Sequence, residues 1–206
     1  MDTIAVLEQP EHISRSKRLK AAIHAAHDRL DHRLMAGQPF SSRARYGLFL
    51  RVQSEFHRDI DALYDAPALD ALLPDLKGRR RLGLVRQDLS DLEIVSMQDG
   101  TEPAFAEGAA IDVPAALGWL YVAEGSNLGA AFLLKEATKL GLSESFGARH
   151  LAGAPEGRGL HWRTFTGALD AIELSQAEED RVIAGANAAF RRVASLVENF
   201  FGSGEE

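Results

Sequence analysis

The stretch GWLYVAEGSNLGAAFLLKEATKL, from Gly118 to Leu140, constrains the fold more than any other part of the sequence. Nearly all of its residues favour an α-helix, yet Gly125 and Gly129 lie in its middle. A glycine in a helix interior costs about 1 kcal/mol relative to alanine. Two such glycines, four residues apart, therefore require a packing or binding reason.

Tyr121, Gly125 and Gly129 share one face of this predicted helix, because steps of four residues return to nearly the same angle. The missing side chains expose bare backbone, and glycine also permits a kink. Two interpretations are open: two helices pack closely, which is the commoner reason for such a pair, or a flat ligand lies against the backbone. Tyr121 on this face and the Ser126 hydroxyl beside it favour the ligand.

Helical spacing recurs along most of the chain. Leu19, Ile23 and Leu30 belong to an apolar stripe that stops at Gly37, a suitable C-terminal cap. Further helices are predicted in the segments RYGLFLRVQSEFHRDIDALY, APALDALL, GRRRLGLVRQDLSDL, HWRTFTGALDAI and SQAEEDRVIAGANAAFRRVASLVENFF. Ser41 or Ser42 can cap the first of these, and Ser175 with Glu178 predicts a capping box at the start of the last. The pattern predicts an all-α, single-domain bundle over residues 1–206, with flexible ends at 1–12 and 202–206 and a long loop at 93–108.

Composition and charge exclude several function classes. The net charge of −7 argues against non-specific nucleic-acid binding, which draws on a basic surface. The chain has no cysteine, so disulfides and thiolate metal sites are excluded. The N-terminal residues lack an apolar core of signal-peptide length, and no uncharged run approaches the roughly 18 residues of a membrane span. We therefore expect a cytoplasmic, monomeric protein without nucleic-acid or membrane partners.

His27 is the strongest candidate for a metal ligand. It follows Ile23 by four residues and precedes Leu30 by three, which places it on the apolar stripe of the first helix. A lone histidine on such a face is more often a hydrogen-bonded core residue, and no neighbouring ligands complete a zinc site. A haem, however, supplies four nitrogens and needs one axial histidine. Lys20 lies on the same face about 10 Å away, within reach of a haem propionate, although it could equally be a solvated lysine.

Six motifs together resemble a known family: RLKAAIHAAHDRLD, QPFSS, QSEFH, GWLYVAEGSNLGAAFL, GARHLA and GRGLHWR. Over almost its full length the chain resembles bacterial haem oxygenases of the type found in Gram-negative pathogens, with LYVAEGSNLGAAF the most diagnostic segment. The resemblance implies a helical fold that holds haem b between a proximal helix and a kinked distal helix. The implied reaction uses dioxygen, and electrons from an external ferredoxin or NAD(P)H-dependent reductase, to cleave haem to biliverdin, ferrous iron and carbon monoxide.

The resemblance also assigns roles to individual residues. His27 matches the proximal iron ligand, and Gly125 and Gly129 match the distal glycines that make room for haem and oxygen. In the mammalian branch an aspartate follows the first distal glycine and anchors a water network, whereas this chain has Ser126 there. Matching bacterial relatives implies that the network is lined instead by three other residues: Gln53, His57 and Arg81.

Lys20 and Tyr121 match relatives in which haem is oriented for cleavage at the α-meso carbon, so α-biliverdin is the expected isomer. The acidic total charge further suggests that a basic cluster forms the propionate rim and a docking surface for an acidic electron donor. This basic cluster consists of Arg15, Lys17, Arg18 and Lys20.

Two alternatives to the oxygenase remain at this point. A haem carrier or sensor on the same fold would also use His27 but would not degrade haem. A helical scaffold in which Gly125 and Gly129 serve packing alone would not bind haem.

Overall fold

The computed structural model describes residues 13–95 and 100–202, and in these ranges it contains helices and no β-strand. The predicted all-α class is confirmed. Most of the predicted flexible ends, 1–12 and 203–206, and part of the predicted loop, 96–99, lie outside the described residues. The seven α-helices are α1 (Arg15–Ala36), α2 (Arg43–Ile60), α3 (Pro67–Asp70), α4 (Leu82–Asp91), α5 (Val113–Thr138), α6 (Arg158–Ala171) and α7 (Gln176–Phe201).

Three short 3₁₀ helices complete the fold, at Asp61–Asp65, Lys77–Arg79 and Arg149–Leu151. The predicted starts of two long helices are confirmed. Ser42 caps α2 by accepting a hydrogen bond from the Arg45 backbone N–H at 3.2 Å. At the start of α7, Ser175 and Glu178 form the predicted capping box. No helix within the described ranges has the length and apolar composition needed to cross a membrane.

Helices α5 and α7 form the central pair, and their backbones touch at two glycines. A Cβ added to Gly118 would lie 2.1 Å from the Val182 carbonyl oxygen, and one added to Gly185 would lie 2.2 Å from the Ala115 carbonyl oxygen. These distances leave no room for a side chain. Close helix packing through glycine therefore occurs in this protein, but at Gly118 and Gly185 rather than at Gly125 and Gly129.

Helix α7 also packs against α1 and α2, so α1 and α5 lie against a common support. The interior between the helices is apolar and includes fully buried Leu19, Tyr46, Leu50, Phe165 and Leu196. Burial of this surface, at about 25 cal/mol per Å², supplies most of the folding free energy.

Charged contacts fix the N-terminal part of α1. Arg15 is 5% exposed and forms an ion pair with Glu179 of α7 at 2.8 Å, and Arg18 pairs with the same carboxylate at 2.8 Å. Both arginine charges therefore hold α1 against α7, and Arg15 is too buried to form part of a docking surface. For the other members of the basic cluster the docking role stays a prediction. Lys17 and Lys20 are the exposed members of the cluster.

The contrast between the two glycine pairs predicts opposite effects of alanine. Gly118→Ala should lower the free energy of unfolding by about 1–3 kcal/mol or more, because the methyl group overlaps the α7 backbone. Gly129→Ala should raise the free energy by up to about 1 kcal/mol, because its Cβ meets open space and alanine favours helix. Chemical denaturation of the two variants measures both values, and equal effects would contradict the packing described here.

Candidate functional site

One face of α5 is bare and partly apolar. A Cβ at Gly129 would meet no heavy atom of the described residues within 4 Å, and one at Gly125 would meet only the Trp162 ring, at 3.8 Å. Leu128 and Phe132 lie on the same face and are 41% and 56% exposed. Exposed apolar side chains beside open backbone mark a surface suited to a flat, largely apolar ligand.

The His27 side chain is 56% exposed, so its predicted burial on the apolar stripe is wrong. With 100° per residue, His27 lies about 60° from the centre of the stripe, at its edge. Its Nδ1 lies 3.3 Å from the Asp31 carboxylate, and its ring contacts Phe190 of α7 edge-on, with 6.0 Å between ring centroids. A carboxylate at Nδ1 orients an imidazole and leaves Nε2 as the metal-binding nitrogen.

Tyr121 and Lys20 lie at the same end of the site. The buried Tyr121 hydroxyl donates a hydrogen bond to the Ser16 carbonyl at 3.1 Å, which ties α5 to α1. Lys20 follows Ser16 by one helical turn and is exposed. Burial, with a smaller contribution from Asp170, raises the pKa of Tyr121 to about 12, so its hydroxyl is a neutral donor. Lys20 therefore lies one helical turn from the Ser16 carbonyl that Tyr121 contacts, and the joint contact of Lys20 and Tyr121 with a ligand stays a prediction.

Two of the predicted distal residues lie near the segment that contains His150. His57 is 2% exposed, and burial, followed by the charges of His150 and Arg81, lowers its pKa to about 3. The His57 ring is therefore neutral at neutral pH. Its Nδ1 is buried and has no hydrogen-bond partner among the described residues.

Arg81 is fixed by two backbone carbonyls and reaches α5. Its Nη1 donates to the carbonyl oxygens of His150 and Ala152, each at 3.0 Å. With Glu124 and Asn127 of α5, Arg81 lines a small polar cavity. Arg81 thus places a positive charge beside the segment that contains the two open glycines.

The other two candidate catalytic residues, Ser126 and Gln53, are less closely connected. Ser126 is exposed, and its hydroxyl donates to the Ala123 carbonyl of its own helix at 2.7 Å. Gln53 is half-buried on α2, one turn before His57 and on the same face. The structure therefore brings His57 and Arg81 together, places Gln53 beside His57, and leaves Ser126 apart.

Sequence reasoning missed several polar residues near this site. Asp88 is fully buried and binds His150 Nδ1 at 2.7 Å, which orients that ring. Glu124 is 2% exposed and pairs with Arg79 at 2.8 Å. His150 lies in the GARHLA segment and Glu124 in the AEG segment. The spacing of charged residues in these segments does not distinguish a buried charge pair from a solvated one.

Two larger cavities lie away from the α5 face. One, of 530 Å³, lies beside α2 and α4 and is lined by Arg43, Arg51 and Asp91 among others. The other, of 750 Å³, lies beneath the segment 103–111, with Asp61 and Arg80 in its wall. Both combine basic and acidic side chains that neutralise each other, and neither contains a histidine or an open glycine helix.

The fold and the site together define a class: an all-α bundle with His27 on α1 and two uncovered glycines on α5, suited to a planar metal-containing ligand. The family model for heme oxygenase matches residues 14–199. The chain belongs to the haem oxygenase family and is accordingly an enzyme that degrades haem.

Similar proteins agree with this assignment. The chain is 40% identical over 201 residues to heme oxygenase PigA of Pseudomonas aeruginosa, covering 98% of this chain and 100% of the relative. It also resembles the NO- and CO-bound heme oxygenase of Neisseria meningitidis, with 42% identity, a TM-score of 0.86 and coverage of 93% and 94% of the two chains. Heme oxygenase 2 of Chlamydomonas reinhardtii shares the fold. It is 18% identical to this chain, and the two structures align with a TM-score of 0.70 over 91% of this chain and 98% of that one.

The lowered pKa of His57 predicts acid sensitivity. The buried neutral ring contributes stability that is fully present above the ordinary value of 6.5 and is lost as pH falls from 6.5 towards 3. In this range, the uptake of one proton on unfolding changes the free energy of unfolding by up to about 1.4 kcal/mol per pH unit. Denaturant unfolding between pH 7 and 4.5 should give a smaller slope in His57→Gln, with exposed His32→Gln as control. An unchanged slope in His57→Gln would contradict the assignment.

Proposed function

We propose that the chain cleaves haem b to α-biliverdin, ferrous iron and carbon monoxide, using dioxygen and electrons from a separate reductase or ferredoxin. The single observation that carries the proposal is that an exposed histidine and an uncovered stretch of helix backbone lie on two helices that both pack against α7. His27 of α1, oriented by Asp31, and the uncovered backbone at Gly125 and Gly129 of α5 both belong to helices packed on α7.

The residues present fit an iron porphyrin. His27 Nε2 would bind the iron, and Lys20 and Tyr121 would contact the propionates. Leu128 and Phe132 offer the apolar surface that a porphyrin ring needs. When bound, the iron porphyrin supplies electron transfer and oxygen activation, as cofactors generally do.

The protein's own tasks are space, orientation and proton supply. Gly125 and Gly129 leave room on the distal side that any larger residue would fill. Arg81 holds a fixed positive charge there. His57, neutral and with a buried unpartnered Nδ1, is able to hydrogen-bond a water molecule. Electrons must come from outside, because the sequence contains no flavin or nicotinamide fingerprint.

Lys20 and Tyr121 are proposed to set the orientation of haem. Two anchors at one end of α1 distinguish the propionate edge from the vinyl edges, and this fixes which meso carbon faces Gly125 and Gly129. The resemblance to relatives with lysine and tyrosine at these two positions makes the α isomer the expected product.

The first test is a haemin titration followed by ascorbate under air. The wild-type chain should bind one haemin and form a Soret band, and ascorbate should abolish that band and release iron. His27→Ala should show an altered band and little cleavage, whereas His32→Ala, an exposed histidine of the same helix, should behave as wild type. A wild-type Soret band that persists after ascorbate would identify a carrier or sensor and contradict the proposal.

Chromatography of the bilin tests the orientation. The wild-type chain should give mainly α-biliverdin, and Lys20→Ala should give a mixture, because one propionate anchor is lost. Lys139→Ala, which removes an exposed lysine that pairs with Glu136 at the end of α5, serves as the control and should retain the wild-type product. Mainly β or δ product from the wild type would contradict the roles of Lys20 and Tyr121.

A further inference from the structure

A buried charge cluster joins α5 to α6 directly behind the open glycines. Arg79, Glu124 and His161 are all less than a tenth exposed, and Glu156 completes the cluster at the surface. Arg79 donates to Glu124 at 2.8 Å, and His161 Nδ1 lies 2.7 Å from the Glu156 carboxylate. We refer to these four residues as the α5–α6 charge cluster.

The inner contact of this cluster is incomplete. His161 Nε2 lies 3.4 Å from Glu124 Oε2, close enough for attraction between charges but not aligned as a hydrogen bond. Glu124 Oε1 is also buried without a hydrogen-bond partner in the described part of the chain. Both side chains line the small polar cavity that Arg81 and Asn127 also line. Buried polar atoms of this kind are unusual and require an explanation.

Two members of the cluster are the sequence neighbours of Gly125 on α5 and of Trp162 on α6, which face each other. Glu124 directly precedes Gly125, and Trp162 directly follows His161. Among the described residues, only the Trp162 ring comes within 4 Å of a Cβ placed at Gly125, at 3.8 Å, and the ring centroids of Trp162 and Tyr121 are 5.2 Å apart. Any shift of α6 relative to α5 therefore moves Trp162 over the glycine.

The charge on His161 controls the attraction across this contact. Glu124 of α5 is the main cause that raises the pKa of His161 above its ordinary value; burial opposes it, Glu156 adds to it and Arg79 opposes it. Arg81 and Arg158 also line the cavity. Because the folded pKa is raised, the attraction is fully present below the ordinary value and is lost as pH rises through the folded value.

We propose that His161, held between Glu124 and Glu156, is a positioning residue that sets how Trp162 lies against Gly125 and so shapes the distal side of the site. The inference rests on the proposed function for its consequence in catalysis, but its structural part concerns the haem-free chain. Loss of the His161 proton weakens the α5–α6 contact, and Trp162 moves with α6.

Fluorine NMR of the haem-free chain labelled with 5-fluorotryptophan tests the proposal. The chain has two tryptophans, so two signals are expected, and Trp162→Phe assigns them. The Trp162 signal should shift with pH in one step whose midpoint lies above the ordinary histidine value. The step should vanish in His161→Gln, and Glu156→Gln should move its midpoint to lower pH. Trp119, packed against Phe56, supplies an internal control that should not follow the step.

A Trp162 signal that titrates identically in His161→Gln, or that does not titrate in the wild type, would overturn the proposal. Should His161→Gln fail to fold, Glu156→Gln decides, because that carboxylate is 42% exposed and its loss should be tolerated. An unmoved midpoint in Glu156→Gln overturns the inference.

A separate measurement connects the cluster to catalysis. In haem-loaded His161→Gln, haemin affinity should stay at the wild-type value while the rate of haem cleavage falls by roughly tenfold, since small misplacements near a reacting centre cost this much or more. A wild-type rate would overturn the catalytic part of the inference. Failure of the wild-type chain to bind haemin would instead refute the proposed function and leave the NMR result standing.

Discussion

The backbone contact between α5 and α7 is the constraint on which the rest of the structure depends. Gly118 and Gly185 allow carbonyl oxygens of each helix to lie about where a side chain would otherwise stand. The contact fixes the rotation of α5 about its own axis. Gly125 and Gly129 follow Gly118 on nearly the same face of α5, and α7 covers this face around Gly118 but leaves it uncovered at the two later glycines. Helix α7 also supports α1, so His27 is positioned from the same element.

Buried charged side chains lie beside the α5 segment that contains Gly125 and Gly129, but they leave the glycine backbone uncovered. Arg81 is held by carbonyl groups of the His150 segment, Asp88 orients His150, and Glu124 is paired with Arg79. Each of these pairs costs desolvation, and replacing such pairs by apolar residues is often neutral for stability. Stability alone therefore does not explain their placement beside one segment of α5, whereas the proposed function gives that placement a role. Apolar substitutes would fill the same volume but could neither hold water nor carry a proton.

Much of the fold could be predicted from the sequence, because local rules determine it. The stripe from Leu19 to Leu34 predicts α1, Ser42 and Ser175 mark helix starts, and the glycines of α5 identify an unusual helix face. The burial of His27 could not be predicted correctly, because a residue at the edge of a stripe is covered or exposed according to the neighbouring helices. The pairing of Arg15 with Glu179 and of Glu124 with Arg79 joins residues distant in sequence, and charge patterns alone do not reveal such partners.

The open glycines also affect how this protein responds to selection. Gly129 lies in a helix that would be more favourable with almost any other small residue, and nothing in the described chain stands in the way of one. A laboratory screen that rewards heat resistance alone would therefore enrich substitutions at this position. Under the proposed function the same substitutions would fill the space that haem and oxygen need, so selection for turnover would act in the opposite direction.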